Sequence, residues 1–507
     1  MATSPLSTLG AQQCAERNID YAETFRRQFL FSPDAVRVPE GWSSVACAGG
    51  HLAFCRELEA TELISRQSGQ SIGYVLGIAL TADSDLLEGR YETDALTIDD
   101  IESFVESLSG RFVAVIDAHG CQRFYVDPSC SLVAFFNPDN GRVGASLSLV
   151  LDRPVNDNPS LPYDAFKASI GKYYFFGETV DASVRRMPTN HYLDLASFAC
   201  SRHWPKDTID FEPSDAPAEE LDSIMERLSR HLNTLMSMRI CAFPISGGGD
   251  SRILLAAAAY GKALDFGSRY FVHTDNFMTK LDCIVAINLA QRLNLPLQIV
   301  SAKAQRVLDN FSEERFRELT EMVDLRSSFQ NSYHARKLVV HESPPKADLL
   351  LRGGLIEMTR LNKWKPTWGE FTPEKGLRAL PHPRKLDDDF FEEKLPKYCE
   401  WYDALPEPAK QAAVDFGHFE LWLPSTGNMT YHTMANHFMM NPFNDRMLLR
   451  STAKLPHLFR KNGRPQRHIM RKFSPEIKNV PYASKALLRD LNHPPDGQDI
   501  FQSMGWL

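Results

Sequence analysis

Short apolar runs with partial alternation fill the chain from about Trp42 to Leu151, separated by polar turns. Gly73-Tyr74-Val75-Leu76-Gly77-Ile78, Arg111-Phe112-Val113-Ala114-Val115-Ile116 and Arg123-Phe124-Tyr125-Val126 read as strands of a mostly β unit. Between them Ile98, Ile101, Phe104, Val105 and Leu108 recur at helical spacing and predict one covering helix. Around Thr208 to Pro217 the chain turns acidic and proline-punctuated, which places a domain boundary there and predicts two domains, 1–207 and 208–507.

Beyond that boundary the pattern changes. Leu221, Ile224, Met225, Leu228, Leu232 and Leu235 form one helical stripe, followed by a buried strand at 240–245, an Ala-rich helix from Arg252 to Tyr260, a strand at 269–272, a helix from Lys280 to Leu293 and a strand at 295–300. Strand and helix in alternation predict an α/β fold with a doubly wound, open parallel sheet and helices on both faces.

At the first strand-to-helix crossing stands Ser246-Gly247-Gly248-Gly249-Asp250-Ser251. Glycines here let backbone N–H groups approach an anion closely, and a helix N-terminus presents a positive dipole end to it. Phosphate is the guest this arrangement suits; Ser246 and Ser251 add hydroxyl donors, and Asp250 suits a magnesium ion bridging phosphates. The lysine of a GxxxxGK[ST] loop is missing.

Composition changes this picture little. The 507 residues are 43% apolar with a net charge of -8, which gives no general reason to expect nucleic acid or an anionic membrane as partner. Nine cysteines without a CxxC pair or a zinc-spaced cluster predict reduced thiols and a cytoplasmic home. The first thirty residues lack a signal-peptide core, and no run reaches the roughly 18 apolar residues of a membrane span.

With its loop and flanks, the chain resembles the asparagine synthetase (class B) family, whose SGGxDS loop binds ATP and magnesium, adenylates a carboxylate and releases pyrophosphate. Leu349 to Glu357 is similar to that family's second strand-loop, SGEGxDE, and the likeness implies that Glu357 shares the metal with Asp250. Pro442-Phe443-Asn444-Asp445-Arg446-Met447-Leu448 resembles the PFLDxxL segment, and Gly463 to Phe473 falls where the family has its lysine-led helix. Gly110 to Ile116 with Tyr125 to Pro128 looks like strands of a class II glutaminase-like α+β sandwich, and Ile170 to Trp204 like its interdomain hairpin. The resemblance implies a C-terminal domain of the adenine-nucleotide α-hydrolase (PP-loop ATPase) type. It implies nucleotide contacts at Ser246, Gly247, Gly248, Gly249, Asp250, Ser251, Val272 and Gly353, catalytic roles for Asp250, Glu357 and Arg467, and ATP with Mg2+ as the required small molecules.

Departures narrow the reaction. The chain begins Met1-Ala2-Thr3, without the N-terminal cysteine that a glutaminase needs, and Cys14 lies thirteen residues further in. Gly354 stands where asparagine synthetases carry glutamate and β-lactam synthetases tyrosine; Met440 replaces an arginine and Arg467 the family's lysine. Arginine can neutralise phosphate charge but cannot shuttle protons. These features imply an AMP-forming amide ligase without glutaminase activity, foremost a lasso-peptide (macrolactam) cyclase with a precursor peptide and companion protease as partners. The alternatives are a small-molecule amide synthetase of the asparagine or β-lactam type, and a non-catalytic nucleotide-binding partner.

Overall fold

The computed structural model describes residues 4–5, 7–168, 172–274, 277–301, 343–360, 369–380, 388–426, 437–461 and 463–484. Met1 to Thr3 and the start of the hairpin-like segment at Ile170 lie outside the described residues. The molecule is a mixed α/β structure with antiparallel, mixed and all-parallel sheets.

Period-two alternation builds the first half. In the strand Ser109–Ala118, Val113 and Val115 point to one buried cluster while Phe112, Ala114 and Ile116 point to another. The first cluster fills the space between a seven-stranded and a six-stranded sheet, where Val113, Val115, Phe124 and Leu76 meet Phe29, Phe31, Leu52 and Phe54. The second packs beneath the helix Ile98–Ser107, through Ile101 and Val105. Thr97 and Asp100 start that helix with a reciprocal capping box, each side chain meeting a free N–H of the other's backbone. On the far side of the six-stranded sheet, Leu30, Trp42, Ala53 and Cys55 are covered by Cys14, Ile19 and Phe25 from the helical segments Leu9–Arg17 and its successor. The layers therefore run helix, sheet, sheet, helix. This unit is larger than its apolar runs suggested, beginning with the strand Phe29–Ser32 and ending with Cys200–Arg202.

The second half is organised by a parallel sheet whose spatial order is Leu297–Val300, Arg269–His273, Cys241–Pro244, Leu349–Leu351, Phe438–Met440. In chain order that is 3-2-1-4-5, so the direction of winding reverses between Cys241–Pro244 and Leu349–Leu351. Ligands of open parallel sheets bind outside the carboxyl ends of the strands at this reversal, because the two departing loops diverge there and leave a crevice. One sheet face, with Phe243, Tyr270, Val272 and Leu351, joins helices Pro217–Met238 and Gly249–Tyr260 in a common core; the other carries the smaller cluster Ala242, Phe271, Leu350 and Met439. Among the described residues, helices join this sheet's core on the first face, whereas the alternation predicted them on both.

The halves meet through buried polar groups. Asn444 is fully buried; its side-chain amide donates to the carbonyl of Gly110 at 2.6 Å and to Asp127 at 2.7 Å, and its backbone carbonyl accepts from Gly110 N–H at 2.9 Å. Arg446, also buried, donates to Asn190. Only glycine fits at position 110: φ is 123°, and a Cβ would lie 2.3 Å from the carbonyl oxygen of Ile78. The segment Pro442 to Leu448 is thus a joint between sheets. No helix of the described residues is long and apolar enough to cross a membrane.

Candidate active site

The two loops leaving the central strands converge at the reversal point. After Cys241–Pro244 and buried Ile245 the chain passes through Ser246 and Gly247 to Gly248, whose extended backbone opens the helix Gly249–Tyr260. That helix begins three residues earlier than the Ala-rich run alone suggested, so Gly249, Asp250 and Ser251 form its first turn, where N–H groups have no intrahelical acceptor. The hydroxyls of Ser246 and Ser251 lie 2.6 Å apart, and Ser246 Oγ accepts from Gly248 N–H at 3.3 Å.

Neighbours hold the loop from both sides. Gly247 N–H donates to Asp282 Oδ1 at 3.0 Å, from the helix Phe277–Arg292, and its carbonyl accepts from Ala483 N–H at 2.9 Å. A Cβ at Gly247 would lie 2.3 Å from that of Ala483, so glycine is required by close approach. Residues 480–483 are kept there by Arg252, which is buried and donates to the carbonyls of Val480 at 2.5 Å and Pro481 at 2.8 Å beneath the Tyr482 ring.

The second loop follows Leu349–Leu351. Gly353 lies against the first helical turn: a Cβ there would sit 3.1 Å from Asp250 C and 3.3 Å from Ser251 N. At Gly354 a Cβ would be 2.6 Å from the Asn441 amide nitrogen, which fills the space a longer side chain would need. Leu355 takes a left-handed backbone, φ 68°, a conformation that costs a branched residue strain. The chain then makes the short helical turn Ile356–Arg360, which presents Glu357 and Arg360.

Asp250 and Glu357 stand on these two loops. Asp250 is pushed up to about 6, chiefly by burial; the Arg360 guanidinium pulls it down and the charge of Glu357 pushes it further up. Asp250 Oδ2 lies 2.5 Å from Arg360 Nη2, while Oδ1 is buried with no hydrogen-bond partner among the described residues. Burial opposes ionisation of Glu357 too, but the hydrogen bond and charge of His418, 3.4 Å away, outweigh it and leave its carboxyl below the usual range. Burial likewise raises Asp282, against the Gly247 N–H.

Arg467 is exposed on the helix Arg464–Phe473, and Val272, in the strand Arg269–His273, turns its side chain into the buried core on one face of the parallel sheet. Arg460, on the helix His457–Lys461, is a core residue paired with Asp415. The cation paired with Asp250 is Arg360. Its spacing of three from Glu357 was the available signal, since residues three apart share a face of a helical turn. His418 and Asp282 lie 61 and 35 residues from their partners in sequence and left no such signal. Cys14 is buried in the interior of its helix.

The donor set fits magnesium. Among the described residues no cluster of three or more His, Cys, Asp or Glu could hold a metal. Mg2+ bound through nucleotide phosphates and water requires only one or two carboxylates, and Asp250 Oδ1 is a buried acceptor without a partner. A cavity of about 590 Å³, lined by Phe176, His191, Lys397, Trp401 and Leu421 among others, borders the helical turn Gly417–Trp422, which also carries His418.

Comparison of the chain with family models and with curated proteins returns no match.

Proposed function

We propose that the protein is an ATP-dependent, AMP-forming amide ligase of the asparagine synthetase type. The observation that carries this reading is the convergence of residues 246–251 and 352–360 at the reversal point, where Gly353 lies against the main chain of Asp250 and Arg360 pairs with its carboxylate. Leu355 adds support: it takes a left-handed conformation at the position where SGEGxDE has its second glycine. In the proposed arrangement, residues 1–207 form a glutaminase-like sandwich, consistent with its helix-sheet-sheet-helix layers, and Cys14 is buried in the middle of a helix. Residues 208–507 form the synthetase domain of PP-loop type, and reduced cysteines suit a cytoplasmic setting.

In this mechanism the free N–H groups of the first turn of Gly249–Tyr260 and the Ser246 and Ser251 hydroxyls bind the ATP phosphates. Asp250 and Glu357 would hold Mg2+, which when bound supplies positive charge against the phosphate oxygens. Gly353 keeps the second loop tight on the first turn of the helix Gly249–Tyr260. A substrate carboxylate attacks the α-phosphorus, pyrophosphate leaves, and a bound amine displaces AMP from the acyl-adenylate. Asn441 fills the space beside Gly354, so the amine's proton is not taken up by a side chain at that position.

The leading product is a macrolactam, closed between an amine and a carboxylate of one peptide as in lasso-peptide cyclases; a small-molecule amide is the alternative. Incubating the purified chain with ATP, Mg2+ and candidate peptides or amino acids tests this. AMP and pyrophosphate should appear together with an amide product. ADP and phosphate would rule out adenylation, and nucleotide binding without turnover on any carboxylate would favour a non-catalytic partner role.

A further inference from the structure

The ion pair at the mouth of the crevice is built unlike the other arginine-carboxylate pair beside it. Arg460 is fully buried and grips Asp415 with two bonds, both 2.8 Å, so neither partner can leave without stranding a charge. Arg360 touches Asp250 through a single nitrogen, and the two side chains are 33% and 31% exposed. Each partner also keeps one unspent polar atom: Arg360 Nε and Asp250 Oδ1 are buried and have no hydrogen-bond partner among the described residues. Buried polar atoms are nearly always satisfied. A donor and an acceptor left over on the two halves of one ion pair are satisfied together by a ligand that brings its own cation and anion.

We propose that Arg360 is an exchangeable counter-ion of this site: it neutralises Asp250 while the crevice is empty, and transfers its donors to a phosphate oxygen when a metal-nucleotide complex takes Asp250. The proposal rests on reading residues 246–251 as a phosphate loop. It assigns to Arg360, which three-residue spacing from Glu357 puts on the same helical turn, the phosphate-facing role expected of Arg467. Charge accounts for the exchange. In the empty crevice Arg360 is the cation paired with Asp250, and its charge also acts on Glu357; a divalent ion at Asp250 repels the guanidinium, and the nearby phosphates attract it. A planar guanidinium with several free N–H donors suits this transfer better than an ammonium.

The two halves of the proposal predict opposite signs for one substitution, which separates it from a merely structural role. Arg360→Met removes a competitor from Asp250, so Mn2+ alone, followed by its electron paramagnetic resonance signal in the full-length chain, should bind severalfold more tightly. The same variant loses a charge-assisted hydrogen bond to phosphate, so ATP with Mg2+, measured by calorimetry, should bind about tenfold more weakly or worse. Arg360→Lys should restore part of both effects. Weakening of both ligands would show that Arg360 only holds the loop in place and would overturn the proposal, as would no change in either. If the parent chain binds no ATP, the phosphate-loop reading fails and the proposal falls with it. If the parent binds ATP and Arg360→Met binds it equally well, only the proposal fails.

Discussion

Asp415→Ala isolates the buried pair that supports the second loop. Arg460 is 0% and Asp415 3% exposed, and besides its two bonds to the carboxylate Arg460 donates to the carbonyl of Met358 at 3.1 Å, next to Glu357. Removing the carboxylate leaves a guanidinium without water or counter-charge. Such half-broken buried pairs typically cost about 3–5 kcal/mol. Arg460 Nε has no hydrogen-bond partner among the described residues, so even the intact pair is imperfectly compensated. Replacing both partners, Asp415→Leu with Arg460→Met, should therefore leave stability within about 1 kcal/mol of the parent, or above it. Equilibrium urea denaturation followed by tryptophan fluorescence on parent, Asp415→Leu, Arg460→Met and the double variant gives the coupling energy, expected at about 2 kcal/mol or more. A single-variant loss under about 1 kcal/mol, or a double variant as unstable as the sum of the singles, would refute the reasoning. Because Met358 adjoins Glu357, Asp415→Ala should also weaken ATP binding.

Three further outcomes follow from the packing. Gly353→Val places new atoms against the main chain of Asp250 and should weaken binding of a fluorescent ATP analogue about tenfold or more, with Gly353→Ala milder. Asn444→Ala strips a donor from the buried carbonyl of Gly110 and from Asp127 and should cost about 1–3 kcal/mol in thermal denaturation; Asn444→Asp should be worse, since it sets a second carboxylate against Asp127. Burial opposes ionisation of Asp181, but the hydrogen bond from Arg153 and the N–H groups of Asn156 and Ser183 outweigh it and hold its carboxyl below the usual range. Its contribution is complete above the unfolded value near about 4 and lost as pH falls through the lower folded value, so the stability gap between parent and Asp181→Asn should close below about pH 4.

What the sequence determined by itself was local. The apolar run Arg111 to Ile116 located a strand; its side chains enter two buried clusters in turn, because successive side chains of a strand must point to opposite sides. Three glycines between an apolar strand and an Ala-rich helix located the candidate phosphate loop, because backbone approach and helix initiation are both short-range. The tertiary structure decided which distant pieces share a crevice. Leu349–Leu351 lies beside Cys241–Pro244 only through the 3-2-1-4-5 strand order, and that placement sets Arg360 on Asp250 across 110 residues, while Arg467, carried by a separate helix, remains exposed. The contacts of Asp282 and Ala483 with Gly247, and of His418 with Glu357, arise the same way, from elements packed around the sheet. Periodicity tells a residue which side of its own element is buried. It does not say what stands opposite, because that depends on how whole elements share one core.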